Sequence, residues 1–311
     1  MAGRRITWRE AWEAALYGDG GFYRTQIPAH HFRTSATASP VFADAILALV
    51  HREGLDAVTD VGAGSGELLA ALHSRDPDLT LRGVEIRPRP TVLPDAIAWS
   101  DTVPHRLDGL VVANEALDNV PCDIVELDTR GTVRTVEVQP LSLEDRLGDP
   151  ADDEVMDWLD RWWPLREPGQ RAEVGIRRER WWTDICERIG DGLALAIDYG
   201  HLRARRPAEG TLTSYRAGRQ TALSLDGRHD VSAHVAVDAL AAAVDGSLDV
   251  QRDALRGLGV SRARPPLTLA STDPPRYVRE LSAAGEAAEL VERRGLGSFW
   301  WVLARHLSSG P

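Results

Sequence analysis

Asp60-Val61-Gly62-Ala63-Gly64-Ser65-Gly66 follows the short apolar run Ala57–Val61 and precedes Glu67–His73, a stretch with helical spacing. A buried strand, a glycine turn and a helix in that order open a βαβ unit. The glycines permit a tight turn and let a ligand approach the main chain, and the helix start offers unpaired N–H groups. The spacing is G-x-G-x-G. A dinucleotide fingerprint would place its third glycine at Glu67, and a carboxylate there repels a pyrophosphate. The turn therefore suits a ligand without phosphates.

Downstream, Leu81–Ile86, Ile97–Trp99 and Leu110–Ala113 read as further strands, so the sheet is parallel. Leu193–Ile197 is another buried strand, ending in Asp198-Tyr199-Gly200, and Phe299–Leu303 reads as the last. Thr7-Trp8-Arg9-Glu10 is a capping box for a helix to about Leu16, and Ser39-Pro40 opens a helix to about Glu53. Residues 22–39 read as irregular, 122–139 as a hairpin and 141–175 as an acidic, Trp-rich insertion. Helices are expected over Arg177–Ile189, over Ser232–Val244 with Asp230 or Ser232 as its cap, over Asp253–Leu258 and over Pro275–Arg293. The expected fold is a doubly wound, Rossmann-like α/β sheet with an N-terminal helical cap and an insertion. Its parts are a cap and substrate-side loop at 1–54, a cofactor-binding half at 55–140, the insertion at 141–176 and a second half at 177–311.

Glu85 lies 19 residues after Gly66, at the end of the second strand. A carboxylate there is placed to accept both hydroxyls of a ribose. Turn and carboxylate together describe an adenosyl group without phosphate, as in S-adenosylmethionine. Asp60, Gly62, Ala63, Gly64, Gly66, Glu85 and Asn114 are the candidate cofactor contacts. The competing reading is a tight βα turn beside a solvated glutamate.

Composition narrows the function classes. The 311 residues are 43% hydrophobic and 27% charged, a globular balance. The net charge of −11, from 36 basic and 47 acidic residues, argues against a nucleic-acid partner. Every basic residue is Arg, which excludes Schiff-base and Walker-type lysine chemistry. Two cysteines, Cys122 and Cys186, cannot build a disulfide framework or a four-ligand zinc site, and no spacing suggests a metal. No apolar run reaches the roughly 18 residues of a membrane span. Arg4-Arg5 leads into Ile6-Thr7-Trp8-Arg9-Glu10, not a signal sequence, so a cytoplasmic protein is expected.

Ala113-Asn114-Glu115-Ala116-Leu117-Asp118-Asn119-Val120-Pro121 directly follows the fourth strand and contains both asparagines of the chain. In an open parallel sheet the carboxyl ends of the strands form the binding crevice, where Asn114, Glu115 and Asp118 would project. The alternative is that Asn and Asp cap a helix and a turn there.

With these residues the sequence resembles the MidA-type S-adenosylmethionine-dependent methyltransferases. The family's Asn-Glu-x-x-Asp-x-x-Pro block is matched by Asn114 to Pro121, and its Asp-Tyr-Gly strand end by Asp198 to Gly200. Gly210-Thr211-Leu212, Asp230-Val231-Ser232-Ala233-His234-Val235 and Phe32-Arg33-Thr34 resemble further blocks. The chain departs from the family at Asp60 and Ser65, at Asn119, where Ala is usual, and at His31, where Asp is usual. Mitochondrial members methylate an arginine of a respiratory complex I subunit. The resemblance thus implies a protein substrate, with such a subunit as the candidate, and places the loop Tyr23–Thr34 and Asp198–Tyr199 toward it.

For a guanidinium nucleophile, carboxylates supply bidentate pairing and proton removal. Glu115 and Asp118 are the expected catalytic pair, with Asn114 orienting the cofactor's methionine end or the substrate. A small-molecule methyltransferase and a non-catalytic cofactor-binding assembly factor are the alternatives on the same fold. His30 and His31 read as loop residues, His234 as a structural histidine within a helix. Trp162-Trp163 and Trp181-Trp182 are expected to pack the insertion onto the core rather than form a substrate platform.

Overall fold

The structure is a computed structural model that describes residues 4–26 and 35–307. His30, His31 and Phe32-Arg33-Thr34 lie outside the described residues. Contacts divide the chain into two compact units. One takes in Met1–Phe32, Glu115–Arg188 and Asp198–Gly246, the other Arg33–Asn114, Ile189–Ile197 and Ser247–Pro311.

The second unit is built on a seven-stranded sheet. Its order is Ser247–Val250, Trp300–His306, Ile189–Asp198, Leu107–Asn114, Ala57–Val61, Thr80–Val84, Ala98–Ser100. Ala57–Val61 pairs in parallel with Thr80–Val84 on one side and Leu107–Asn114 on the other, so Asp60 lies opposite both Gly83 and Val112. Strand order reverses at Ala57–Val61, and a crevice at the carboxyl ends is the consequence of that reversal. The strand is buried from Val58 to Val61, and Val58 packs in the main apolar core. Helix Glu67–Arg75 buries Leu68, Leu69 and Leu72 in the core that also holds Phe42, Ile46 and Leu49 of helix Pro40–Arg52. Ser39 caps that second helix through its hydroxyl, which accepts from the Val41 amide at 3.0 Å.

The first unit holds an antiparallel sheet ordered Ile6–Thr7, Val133–Val138, Asp123–Leu127, Arg171–Val174, with Asp145–Pro150 also on Val133–Val138. The expected hairpin is its centre, with Val125 opposite Thr135. Its turn is tied by the Asp128 carboxylate, which accepts the amides of Arg130 and Thr132, each at 2.8 Å. The stretch read as an insertion supplies Asp145–Pro150, helix Asp153–Trp162 and Arg171–Val174 to this unit. Trp158 and Trp163 pack there against Val125, Ala172 and Ala236. Helix Trp8–Tyr17 starts at the expected capping box.

Two local expectations are corrected. Residues 232–244 are not one helix: Asp230–Ser232 is a strand against Thr213–Arg216, Val235–Ala236 pairs with Gly200–His201, and only Val237–Ala243 is helical. His234 therefore sits between two strands. The stretch 22–39, expected to be irregular, contains the short helices Phe22–Thr25 and Ser35–Ala38.

Candidate functional site

The second unit brings together six of the residues expected to hold the cofactor. Gly62, Gly64 and Gly66 have φ of +78°, +59° and +80°, so the turn is left-handed at three places. Gly66 is the helix N-cap, and a β-carbon there would lie 2.7 Å from Leu93 Cδ1. The Gly64 amide donates to Glu85 at 3.0 Å and the Ser65 amide to Glu67 at 3.1 Å. Two of the turn's donors thus already face carboxylates of the chain itself. A phosphate brought to this turn would meet charge of its own sign, whereas a cationic sulfonium with a ribose would not.

Burial raises the Glu85 carboxyl, against the opposing pull of Arg87. Asp60 is pushed up to about 7, first by burial and then by Glu67 and Glu85. These residues fit the adenosyl group: a glycine turn with left-handed φ, a strand-end acid for the ribose, and excess negative charge. Asn114 ends its strand opposite Ile197 in the same sheet.

The first unit collects the other candidates. Glu115 has φ of +55°, an unfavourable value for a non-glycine residue and a mark of functional segments. Asp198 fixes the course of the chain just beyond Glu115. One of its oxygens accepts the amides of Leu117 and Asp118, each at 3.0 Å, and the other accepts the Tyr199 amide at 2.9 Å. Asp198 is therefore spent on the main chain. Asp118 is only 4% exposed. Its Oδ2 accepts the Tyr199 hydroxyl, while its Oδ1 is buried with no hydrogen-bond partner among the described residues. Burial raises the Asp118 carboxyl, and the Tyr199 hydroxyl and Arg178 oppose that rise.

Sequence reading gave Arg178 no role and took Asp230 for a helix cap, while Tyr23 lies in the loop expected to face the substrate. Arg178 is 2% exposed and donates to the carbonyls of Asp118 at 2.7 Å, His234 at 2.9 Å and Val120 at 3.1 Å. Its signal was available, because Arg178 shares a helical stripe with Trp182 and Ile185 and so occupies a core position. Asp230 accepts the Asn119 amide on both oxygens, at 3.0 and 3.1 Å, and burial followed by Asp118 pushes its carboxyl up to about 8. Tyr23, buried beside Asp230, is pushed well above the usual phenol range by that burial. His201, buried next to Arg206, is pushed down to about 3. Among the described residues no group of three or more His, Cys, Asp or Glu could hold a metal ion, and no helix is long and apolar enough to cross a membrane. Both cysteines are free and buried.

A sheet parallel through its centre, with the antiparallel pair Ser247–Val250 and Trp300–His306 at one edge where an all-parallel sheet was expected, a reversal point, a left-handed glycine turn and an acid at the next strand end define a Rossmann-like protein that binds an adenosyl cofactor. Residues 73–254 match the model of the family described as S-adenosyl-L-methionine-dependent methyltransferases, and the chain belongs to that family. Its cofactor is S-adenosylmethionine. A comparison with curated proteins gives no match. Among solved structures, a COG1565 superfamily member from Burkholderia thailandensis, bound to S-adenosyl-homocysteine, aligns with a TM-score of 0.76 at 24% identity. The alignment covers 97% of this chain and 87% of that one. A native structure of a COG1565 superfamily protein from the same organism gives 0.76 at 23%, covering 98% and 88%. Both show that the fold is shared over nearly the whole chain.

Proposed function

We propose that this chain is a MidA-type protein methyltransferase of the cytoplasm that methylates an arginine side chain, with a respiratory complex I subunit as the candidate substrate. The observation that carries the reading is the Asp118 carboxylate, whose Oδ1 is buried with no hydrogen-bond partner among the described residues. Around it lie the carboxyl groups of Glu115, Asp198 and Asp230, and the buried guanidinium of Arg178 is directed to main-chain carbonyls. The open oxygen of Asp118 calls for a donor, and a substrate guanidinium supplies planar donors.

The bound cofactor supplies an electrophilic methyl group on a sulfonium. The guanidinium nitrogen forms the new N–C bond as the S–C bond breaks, and sulfur keeps the electron pair. One proton must then leave the nitrogen. Asp118 and Glu115 hold the guanidinium and accept that proton, and Asn114 orients the reacting groups. On the cofactor side, Asp60, Gly62, Ala63, Gly64 and Gly66 cradle the adenosyl group and Glu85 takes the ribose.

The test is methyl transfer from labelled S-adenosylmethionine into lysate of a strain lacking this gene, separated by size. Label in one protein band, absent with Gly64→Arg, supports the reading. Label confined to small molecules removes the protein substrate. No label despite measured cofactor binding removes the catalytic reading.

A further inference from the structure

We propose that Tyr199 and Ser232 are positioning residues that keep one oxygen of Asp118 an open acceptor for the substrate. The inference rests on the proposed function, in which Asp118 acts on the substrate. A carboxylate can only accept, so the single phenolic proton of Tyr199 goes to Asp118 Oδ2. Ser232 Oγ lies 2.8 Å from the same phenolic oxygen. With its own proton committed, Tyr199 accepts there and Ser232 donates. The result is a directed chain from Ser232 through Tyr199 to Asp118.

The chain is built into the fold. Ser232 is fully buried on the strand Asp230–Ser232, opposite Thr213. Tyr199 follows the strand end at Asp198 and packs edge-on against His234, ring centres 5.0 Å apart. Neither side chain needs to touch the substrate. Their effect is on Asp118, where a donated hydrogen bond favours the charged form and occupies one of two equivalent oxygens. The titratable and charged groups facing Asp118 are Asp198 and Tyr199 from the strand end, Arg178 from its helix, Asp230, Tyr23 and Tyr215. Of these, Tyr199 alone is hydrogen-bonded to its carboxylate through a side chain among the described residues.

The experiment tracks the aspartate carboxyl resonances of the full chain by carbon-13 NMR against pH, with Asp118→Asn identifying the Asp118 signal. Tyr199→Phe keeps the ring and removes the hydroxyl. The expected result is a roughly tenfold or larger rise in the proton affinity of Asp118, the scale of one lost hydrogen bond to a charged group. Ser232→Ala should move it the same way by less, and Ser232→Thr should restore the wild-type titration. An unchanged Asp118 titration in Tyr199→Phe overturns the proposal, as does a Ser232→Thr variant that behaves like Ser232→Ala. Methylguanidinium is then added to the wild-type protein. A shift of the Asp118 signal, weakened several-fold in Tyr199→Phe below neutral pH, supports both the positioning role and the guanidinium reading. If the titrations behave as stated and methylguanidinium leaves Asp118 unmoved, the positioning role stands and the arginine reading falls.

Discussion

The Gly64 amide and the Glu85 carboxylate are hydrogen-bonded at 3.0 Å, so the glycine turn and the acid at the end of the next strand form one unit. With Glu85 taking the ribose, as proposed, cofactor recognition and turn geometry are coupled. Glu85→Ala should weaken S-adenosylhomocysteine binding by about 10- to 100-fold, the equivalent of one or two lost charge-assisted hydrogen bonds. Isothermal titration measures it. A thermal unfolding midpoint close to wild type would show that the loss is local.

Asp60 carries a pH dependence of stability. Its folded-state value near 7 lies above the ordinary carboxyl range, so the folded chain holds a proton that the unfolded chain has released. The contribution from Asp60 is fully present below about pH 4 and is lost as pH rises toward 7. Urea unfolding without cofactor should show Asp60→Asn declining less than wild type across that window, by on the order of 1–3 kcal/mol. Parallel curves would refute the assignment.

Arg178 bridges three carbonyls and lies over the Trp12 ring at 5.6 Å. Arg178→Met leaves those carbonyls buried without donors. The expected loss is at least ~3 kcal/mol, measured by urea unfolding. A loss below about 1 kcal/mol would mean that water replaces the guanidinium.

Asn119→Ala removes both amide bonds to Asp230. The variant should be destabilised by about 1–2 kcal/mol at pH 9, where Asp230 is charged, and by less at pH 6. Equal losses at the two pH values would show that the bonds do not depend on the charge of Asp230.

Much of the second unit was readable because its signals are local. Ala57–Val61 has the expected limits, and the turn after it is fixed by glycines with positive φ. In the first unit the capping box at Thr7 and Glu10 is likewise complete within four residues. The rest of that unit was harder to read. Asp230 and Ser232 look like helix caps beside an Ala-rich stretch, yet their side chains serve Asn119 and Tyr199, which are distant in sequence. A cap and a buried long-range partner use the same residue types, and local patterning does not separate them. Asn119 shows the same point from the other direction. Read alone it is a departure from a familiar block, and only the fold reveals Asp230 as its partner.

The guanidinium of Arg178 also ties two separate stretches of main chain to one point. The carbonyls of Asp118, Val120 and His234 are gathered by one guanidinium, while Asp230 alongside takes up or gives back a proton near pH 8. Charge can vary in this part of the molecule while shape is held.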